Sequence, residues 1–233
     1  MYSAALLVLS AVDALLVAWI LREWLLRREA VLALILFLAA ALPYDTALVG
    51  LGRWIGAGDT LEMLSGPRFA LFNLSMPLTI IIAAGLGRLG GLSWLQSRAA
   101  MGAVCVVATA FLVADWRHIL QFDPLYPACW ADSIRYVPSV AAEQACAPGQ
   151  AGIGAPSHLP IAFIVGVPAL FIVAALLWWR ARWPWMFVGV AAAFVLLGIP
   201  TRLVGPIAGF VGDSLNLFAL AATAVKFSRH PPR

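Results

Sequence analysis

Apolar runs of about twenty residues recur along the whole chain, separated by short clusters of charged or turn-forming residues. An α-helix needs roughly 20 consecutive apolar residues to cross the hydrocarbon core of a bilayer. Seven runs approach that length, at about residues 2–21, 30–51, 69–89, 99–120, 160–179, 183–203 and 206–227. The sequence therefore predicts an all-α, polytopic membrane protein with seven transmembrane helices in a single domain, residues 1–233.

The scarcity of charge supports lipid as the solvent of this chain. Only 11% of the 233 residues are charged, 63% are hydrophobic, and the mean hydropathy is +0.94. A soluble domain carries about 25% charged residues. The net charge of +4 comes from basic residues scattered singly or in pairs, which indicates contact with anionic lipid headgroups rather than with nucleic acid.

The basic residues also predict an orientation, because cytoplasmic loops are enriched in Lys and Arg. The first run contains Asp13 and is followed, not preceded, by basic residues, so we expect a retained helix rather than a cleaved signal. Ten basic residues fall on one side of the predicted spans and five on the other. We expect the richer side to be cytoplasmic, which puts the N-terminus outside, the C-terminus inside and the protein in the cell inner (plasma) membrane. The richer side holds Arg22, Arg27, Arg28, Arg88, Arg98, Arg180, Arg182, Lys226, Arg229 and Arg233, and the other holds Arg53, Arg68, Arg117, Arg135 and Arg202.

Two of the three cysteines lie in the long loop, residues 121–159, that this orientation places outside. Disulfides persist in such compartments, so the sequence predicts a Cys129–Cys146 bridge, with two free thiols as the alternative. Closing this loop would stabilise the fold by about 3 kcal/mol in the loop-entropy treatment.

Polar side chains inside the predicted spans concentrate at the outer face. Ionisable groups within a bilayer are costly and are candidates for a functional site by default. We therefore predict an acid-lined, water-accessible cavity that opens outward; the alternative is that these residues only solvate the outer helix ends. Asp13, near mid-membrane, is either the floor of this cavity or a helix-packing hydrogen bond.

Within this set we assign roles from side-chain chemistry. Asp115 and His118 are three residues apart and share a helix face, where an Asp can fix the imidazole tautomer that a general base needs. Asp213 is a candidate proton donor, unless it pairs structurally with Arg202 or Arg68. The candidate catalytic residues are Asp45, Asp115, His118 and Asp213. The candidate substrate-binding residues are Asn73, Arg68, Arg202, Asn216 and Glu62, of which Glu62 and Arg68 are expected in the outer connection before the third span.

Several site types can be set aside. The sole lysine, Lys226, lies at the predicted cytoplasmic end of the last span, where it cannot carry retinal at mid-membrane. The three histidines cannot form a three-His zinc site; His118, His158 and an Asp could hold one ion, but we assign no metal and no cofactor. The letters GDSL at Gly212–Leu215 lie within an apolar run and lack the strand–turn–helix context of such nucleophiles.

Three functions follow from this pattern. The first is an enzyme that acts on a lipid or isoprenoid substrate by acid–base chemistry. Fungal membrane terpene cyclases offer an analogy of size and of paired acids, a role in which Glu62 and Asp213 would stand here. The second is a non-catalytic subunit, assembly factor or receptor-like module, and the third is a small proton-coupled transporter. The sequence does not set the oligomeric state.

Overall fold

A computed structural model describes residues 1–120, 124–147, 149–154 and 160–229; of residues 116–120 and 229 it describes the backbone. The described chain is mostly helical. Its elements in chain order are α1 (Tyr2–Arg27), α2 (Ala30–Ile55), α3 (Asp59–Leu89), α4 (Arg98–Leu120), β1 (Tyr126–Trp130), β2 (Ser133–Val137), α5 (Ile161–Ala181), α6 (Trp185–Leu197), α7 (Thr201–Val204) and α8 (Ile207–Arg229). Short 3₁₀ turns lie at Ser93–Leu95 and Ala142–Gln144.

Six of the described helices are long and apolar enough to cross a membrane: α1, α2, α3, α4, α5 and α8. They bury little of their apolar surface in the protein. In the most hydrophobic window of α4 only 11% of residues are buried, and in that of α1 only 17%. Large side chains such as Leu15, Val106 and Trp179 point outward with exposures of 70%, 69% and 81%. A helix that is apolar on its outer face requires an apolar solvent, so this is a multi-pass membrane protein.

The sixth predicted span differs from the expected single helix. The 13 residues of α6 are followed by a break at Gly198–Pro200 and by the four-residue α7. Proline lacks the backbone N–H that continues a helix and restricts the residue before it, so Pro200 separates α6 from α7. Seven full-length spanning helices are therefore not found among the described residues.

The third helix begins ten residues earlier than predicted. Residues 59–68 belong to α3, so Glu62 and Arg68 lie on a helix and not in the connection before it. Asp59 and Glu62 occupy the first turn, where carboxylates are favoured by the helix dipole. This correction places Arg68 inside the bundle.

The buried core is built by α1, α2, α3, α5, α6 and α8. Its largest cluster includes Ile20, Ile35, Leu86, Leu177 and Leu220, each 0% exposed. In the packing of these helices, α1 lies along α2 and α6 along α8, while α3 contacts α2, α4, α5 and α8. As a result α2, α3 and α8 surround a common space.

The long loop contains a β-hairpin that the all-α prediction missed. Strands β1 and β2 pair antiparallel, with Trp130 opposite Ser133 and the two-residue turn Ala131–Asp132 between them. Trp, Tyr, Ile and Val favour strands, and their density in residues 126–137 was a usable signal. The predicted disulfide is confirmed: Cys129 of β1 is bridged to Cys146, with their Cα atoms 5.0 Å apart.

The hairpin packs directly on the helix ends. Ser133 is buried and donates a hydrogen bond to the carbonyl of Val49 (2.7 Å). A Cβ atom at Gly52 of α2 would lie 1.8 Å from the carbonyl oxygen of Ile134. A backbone approach this close requires glycine on α2, and it fixes the hairpin over the ends of α2 and α3.

Candidate functional site

A cavity of about 110 Å³ lies among α2, α3 and α8. It combines polar and apolar walls. Its polar residues are Asp45, Arg68, Ser75, Thr79, Asp213 and Asn216, and its apolar residues are Leu38, Ala41, Leu42, Leu71, Phe72, Met76 and Leu217. Four sequence-predicted site residues on three different helices therefore line one space.

Helical spacing brings these side chains to the cavity. Arg68, Phe72, Ser75 and Thr79 follow one another on α3 at steps of three or four residues, which places them on one stripe of the helix. The lining residues of α2, at positions 38, 41, 42 and 45, repeat this pattern. The hydroxyls of Ser75 and Thr79 donate to carbonyls of their own helix, those of Phe72 (2.7 Å) and Met76 (2.6 Å), so their cavity-facing role is limited.

The centre of the cavity is an ion pair between α2 and α3. Nε of Arg68 donates a hydrogen bond to Oδ1 of Asp45. The Arg68 side chain is only 7% exposed, whereas that of Asp45 is 31% exposed. The guanidinium also lies 5.4 Å from the centroid of the Phe69 ring, at cation–π distance. Arg68 is therefore held in place on two sides.

The ion pair leaves one guanidinium nitrogen unused. Nη1 of Arg68 is buried and has no hydrogen-bond partner within the described part of the chain. A buried polar group without a partner costs roughly 1–3 kcal/mol, and more when it is charged. Such groups in a cavity are satisfied by water or by a ligand, so Nη1 is a donor available at this site.

The α8 wall contributes a carboxylate and an amide. Asp213 and Asn216 are three residues apart and face the cavity together. Asp213 is exposed, whereas Oδ1 of Asn216 is buried and has no partner among the described residues. The charges of Asp213 and Asp45 act on one another across this space. The cavity thus offers an unused donor, an unused acceptor and two carboxyl groups.

Beside the cavity, Asp13 joins three helices. Its Oδ2 accepts a hydrogen bond from Thr46 of α2 (2.9 Å), and its Oδ1 accepts one from Ser214 of α8 (2.6 Å). Asp13 is 1% exposed. It therefore makes the helix-packing hydrogen bonds expected as one alternative. Because Thr46 follows Asp45 and Ser214 follows Asp213, this node fixes the two helices that carry the cavity carboxylates.

A second cation approaches from the hairpin. Burial, and the positive charge of Arg68, lower the pKa of Arg135 on β2 to about 10, which leaves it protonated at neutral pH. Its charge interacts with those of Arg68 and Asp45. Nη2 of Arg135 donates to Oε1 of the buried Gln144 (2.9 Å), so the guanidinium is anchored to the loop that the disulfide closes.

Three of the predicted substrate-binding residues are not brought to the cavity. Asn73 lies on α3 five residues after Arg68, which is about 140° around the helix axis at about 100° per residue. Glu62 lies in the first turn of α3, and Arg202 is exposed on α7. These three residues lie outside the cavity lining that the described residues form.

Asp115, the described member of the predicted pair Asp115–His118, is also separate from the cavity. Asp115 is 5% exposed, and its Oδ2 accepts a hydrogen bond from the backbone N–H of Ala162 (3.5 Å). That N–H belongs to the first turn of α5, where a carboxylate is favoured by the helix dipole, so Asp115 ties α4 to α5. The side chain of His118 and the whole of His158 lie outside the described residues.

Sequence reasoning missed Arg135, Thr46 and Ser214. Thr46 and Ser214 carry short uncharged hydroxyl side chains, which a prediction based mainly on ionisable residues passes over. Each of them directly follows a predicted carboxylate. Arg135 was counted only as a loop charge. The possible hydroxyl partners of Asp13 were a signal for Thr46 and Ser214.

Comparison of the chain with protein-family models, with curated proteins and with solved structures finds no match.

Proposed function

We propose that this protein is an enzyme of the cell membrane that acts on a lipid or isoprenoid substrate by acid–base chemistry in the cavity among α2, α3 and α8. One observation carries the proposal. The ion pair between buried Arg68 and partly exposed Asp45, with Nη1 of Arg68 unused, lies in a cavity whose remaining walls are largely apolar. A small number of polar groups in an apolar cavity is typical of sites that bind small molecules.

The polar groups suggest separate roles. Asp213, which is exposed to the cavity, donates a proton to the substrate. Arg68 stabilises negative charge that develops on the substrate, as a preorganised cation does in a site of low dielectric constant. Asp45 holds Arg68 in position. A proton returns from the product to Asp213 through water, which regenerates the acid. Leu38, Phe72 and the other apolar lining residues contact the hydrocarbon part of the substrate.

The proposal includes seven membrane crossings. The connection between α5 and α6 lies near the C-terminal part of α8, because Nε1 of Trp183 donates to Oγ1 of Thr223 (3.0 Å). The chain after α7 lies at the hairpin, because a Cβ atom at Gly205 would be 2.3 Å from the ring of Trp130. Residues 184–204 thus run between the two ends of α8, which supports a seventh crossing made by α6 and α7 together.

The orientation is proposed from the distribution of basic residues, with the hairpin and the cavity mouth outside the cell. Reporter fusions test it: a periplasm-active reporter inserted at exposed Gly149 should be active, and one fused after α8 should not. The reverse pattern would contradict the proposed orientation.

Mass spectrometry of membrane lipids tests the function. In cells that lack the protein, expression of the wild-type chain should change the abundance of at least one lipid or isoprenoid, and Asp213→Asn and Arg68→Gln should abolish that change. Glu143→Gln and Arg202→Gln are matched controls, since both residues are exposed and lie outside the cavity. All variants are compared at equal amounts in the membrane fraction.

Two results would contradict the proposal. In the first, wild-type expression leaves the lipid profile of the cells unchanged. In the second, Asp45→Asn and Asp213→Asn retain the wild-type effect while removal of residues 122–158 abolishes it. That second pattern is expected of a non-catalytic module that acts through its outer loop.

A further inference from the structure

The unused nitrogen of Arg68 indicates which kind of polar group the cavity receives. Nε of Arg68 is occupied by Asp45, whereas Nη1 is buried and has no partner among the described residues. The side chain is 93% buried, given its exposure of 7%, and it cannot rotate toward bulk water without breaking the ion pair. A ligand that enters the cavity therefore meets a fixed guanidinium donor, which forms its strongest hydrogen bonds with oxyanions.

The charge balance around Arg68 favours an anion. Arg68 pairs with the carboxylate of Asp45, and the charge of Arg135, which is protonated at neutral pH, interacts with both. Under the proposed function, Asp213 carries the proton that it donates. Arg68 and Arg135 then outnumber the ionised carboxylate of Asp45. The other carboxylate beside the cavity, that of Asp13, already accepts hydrogen bonds from Thr46 and Ser214 and is no partner of Nη1.

The remaining walls of the cavity indicate the chemistry of the rest of the ligand. Leu38, Leu42, Phe72 and Met76 lie deeper along α2 and α3 than the ion pair, on the side away from the hairpin. They offer no charge to a ligand. A molecule that contacts both regions has one charged end and a hydrocarbon chain.

We infer that the ligand of this cavity is an amphiphile whose polar end is a single monoanionic oxyanion, a carboxylate or a phosphodiester, bound by Nη1 of Arg68. This inference rests on the proposed function, because it takes Asp213 as protonated. The two anionic groups share their chemistry and differ in source: the first is the end of a free fatty or isoprenoid acid, and the second belongs to a phospholipid headgroup.

Photocrosslinking in phosphatidylcholine nanodiscs tests the inference. Three probes carry a diazirine in a chain of sixteen carbons: a carboxylate, a phosphatidylglycerol and the uncharged alcohol. Crosslinked peptides of the full-length protein are mapped by mass spectrometry. We expect the carboxylate, the phosphatidylglycerol or both to label α2 and α3 near Phe72 at least tenfold more than the alcohol does. Arg68→Gln should reduce that labelling to the level of the alcohol, while Arg202→Gln should leave it unchanged.

The two anionic probes distinguish the sources, since preferential labelling by one identifies a free acid or a phospholipid. Equal labelling of the cavity by the alcohol and by the anions, in wild type and in Arg68→Gln, would overturn the inference but leave the proposed lipid site intact. Failure of every probe to label the cavity would overturn the inference and count against the proposed function as well. Arg68→Lys covers the case in which Arg68→Gln does not fold, because it keeps the charge and should retain part of the preference.

Discussion

Arg68 of α3 and Asp45 of α2 form an ion pair inside a membrane-spanning bundle, with Arg68 almost fully buried and Asp45 about one third exposed. The pair links two helices at the centre of the cavity among α2, α3 and α8. Removing one member of a buried pair leaves the other charge without compensation. This asymmetry yields the first prediction.

Asp45→Asn should destabilise the protein more than Arg68→Gln, because it leaves the buried charge of Arg68 without a partner, whereas Asp45 left alone in Arg68→Gln retains access to water. Loss of a partner from a buried pair costs about 3–5 kcal/mol, and we expect about 2–3 kcal/mol for Arg68→Gln because the remaining Asp45 is partly exposed. The double variant should be more stable than the sum of the single losses implies. Unfolding in mixed detergent micelles measures all four proteins; additive losses would show that the pair has no net coupling.

The Asp13 node should depend on hydrogen bonding rather than on charge. Asp13→Asn keeps an acceptor for Thr46 or Ser214 and should stay close to wild type. Asp13→Ala removes both bonds, each worth about 0.6–1.7 kcal/mol inside a membrane protein. The loss is limited because both hydroxyls can donate to carbonyls of their own helices, those of Leu42 and Phe210. Equal destabilisation by Asn and Ala would indicate that the charge of Asp13 matters instead.

The carboxylate of Asp132 should make the hairpin sensitive to acid. Hydrogen bonds from the amino group of Met1 and from the backbone N–H of Ser3 lower its pKa below the ordinary value of 3.8. A lowered folded-state pKa gives stability that is fully present above the unfolded value and is lost as the pH falls through the folded value. The thermal midpoint should therefore fall below about pH 4, and Asp132→Asn should flatten that part of the profile. An unchanged profile in the variant would assign the acid response to other groups.

The disulfide should contribute to stability only through the loop between α4 and α5. Cys129→Ser with Cys146→Ser opens a loop whose ends are 17 residues apart, and we expect a loss of about 3 kcal/mol. Cys105→Ser is the control, because Cys105 is a free thiol exposed on α4. If reduction and the double serine variant leave the unfolding transition unchanged, the hairpin is held by its contacts with α2 rather than by the bridge.

The sequence predicted the apolar helices well, because lipid demands a nearly uniform apolar surface that composition alone reveals. Depth along the helices grouped Asp45, Asp213 and Asn216, which line one cavity together with Arg68, a residue expected in the connection before the third span. Depth carries no information on the direction in which a side chain leaves the helix, which is why Asn73 was grouped with Arg68 although it lies about 140° away on α3. Angular spacing from Arg68 would have separated them.

Other features depended on long-range contacts that a single sequence does not display. The pairing of Asp115 with the first turn of α5 joins residues 47 positions apart, and nothing local distinguishes that role from a partnership with His118. The break between α6 and α7, by contrast, had a local signal in Pro200. A carboxylate with a structural role, such as Asp115, differs from the cavity carboxylates in its distant partner and not in its residue type.

Packing of the hairpin on α2 should be intolerant of one methyl group. Gly52→Ala places a Cβ atom 1.8 Å from the carbonyl oxygen of Ile134, and backbone atoms on both sides cannot yield by rotating a side chain. We expect the hairpin to separate from α2, with loss of the Ser133–Val49 hydrogen bond and faster amide exchange across residues 126–137.

Gly102→Ala on α4 is the matched control, because its Cβ meets nothing within 4 Å in the described structure and alanine favours the helix by about 1 kcal/mol. Amide exchange in Gly52→Ala that matches the control would show that the hairpin does not approach α2 this closely. Since Arg135 lies on the same strand, the variant should also weaken anion binding in the cavity, and crosslinking with the carboxylate probe measures that link directly.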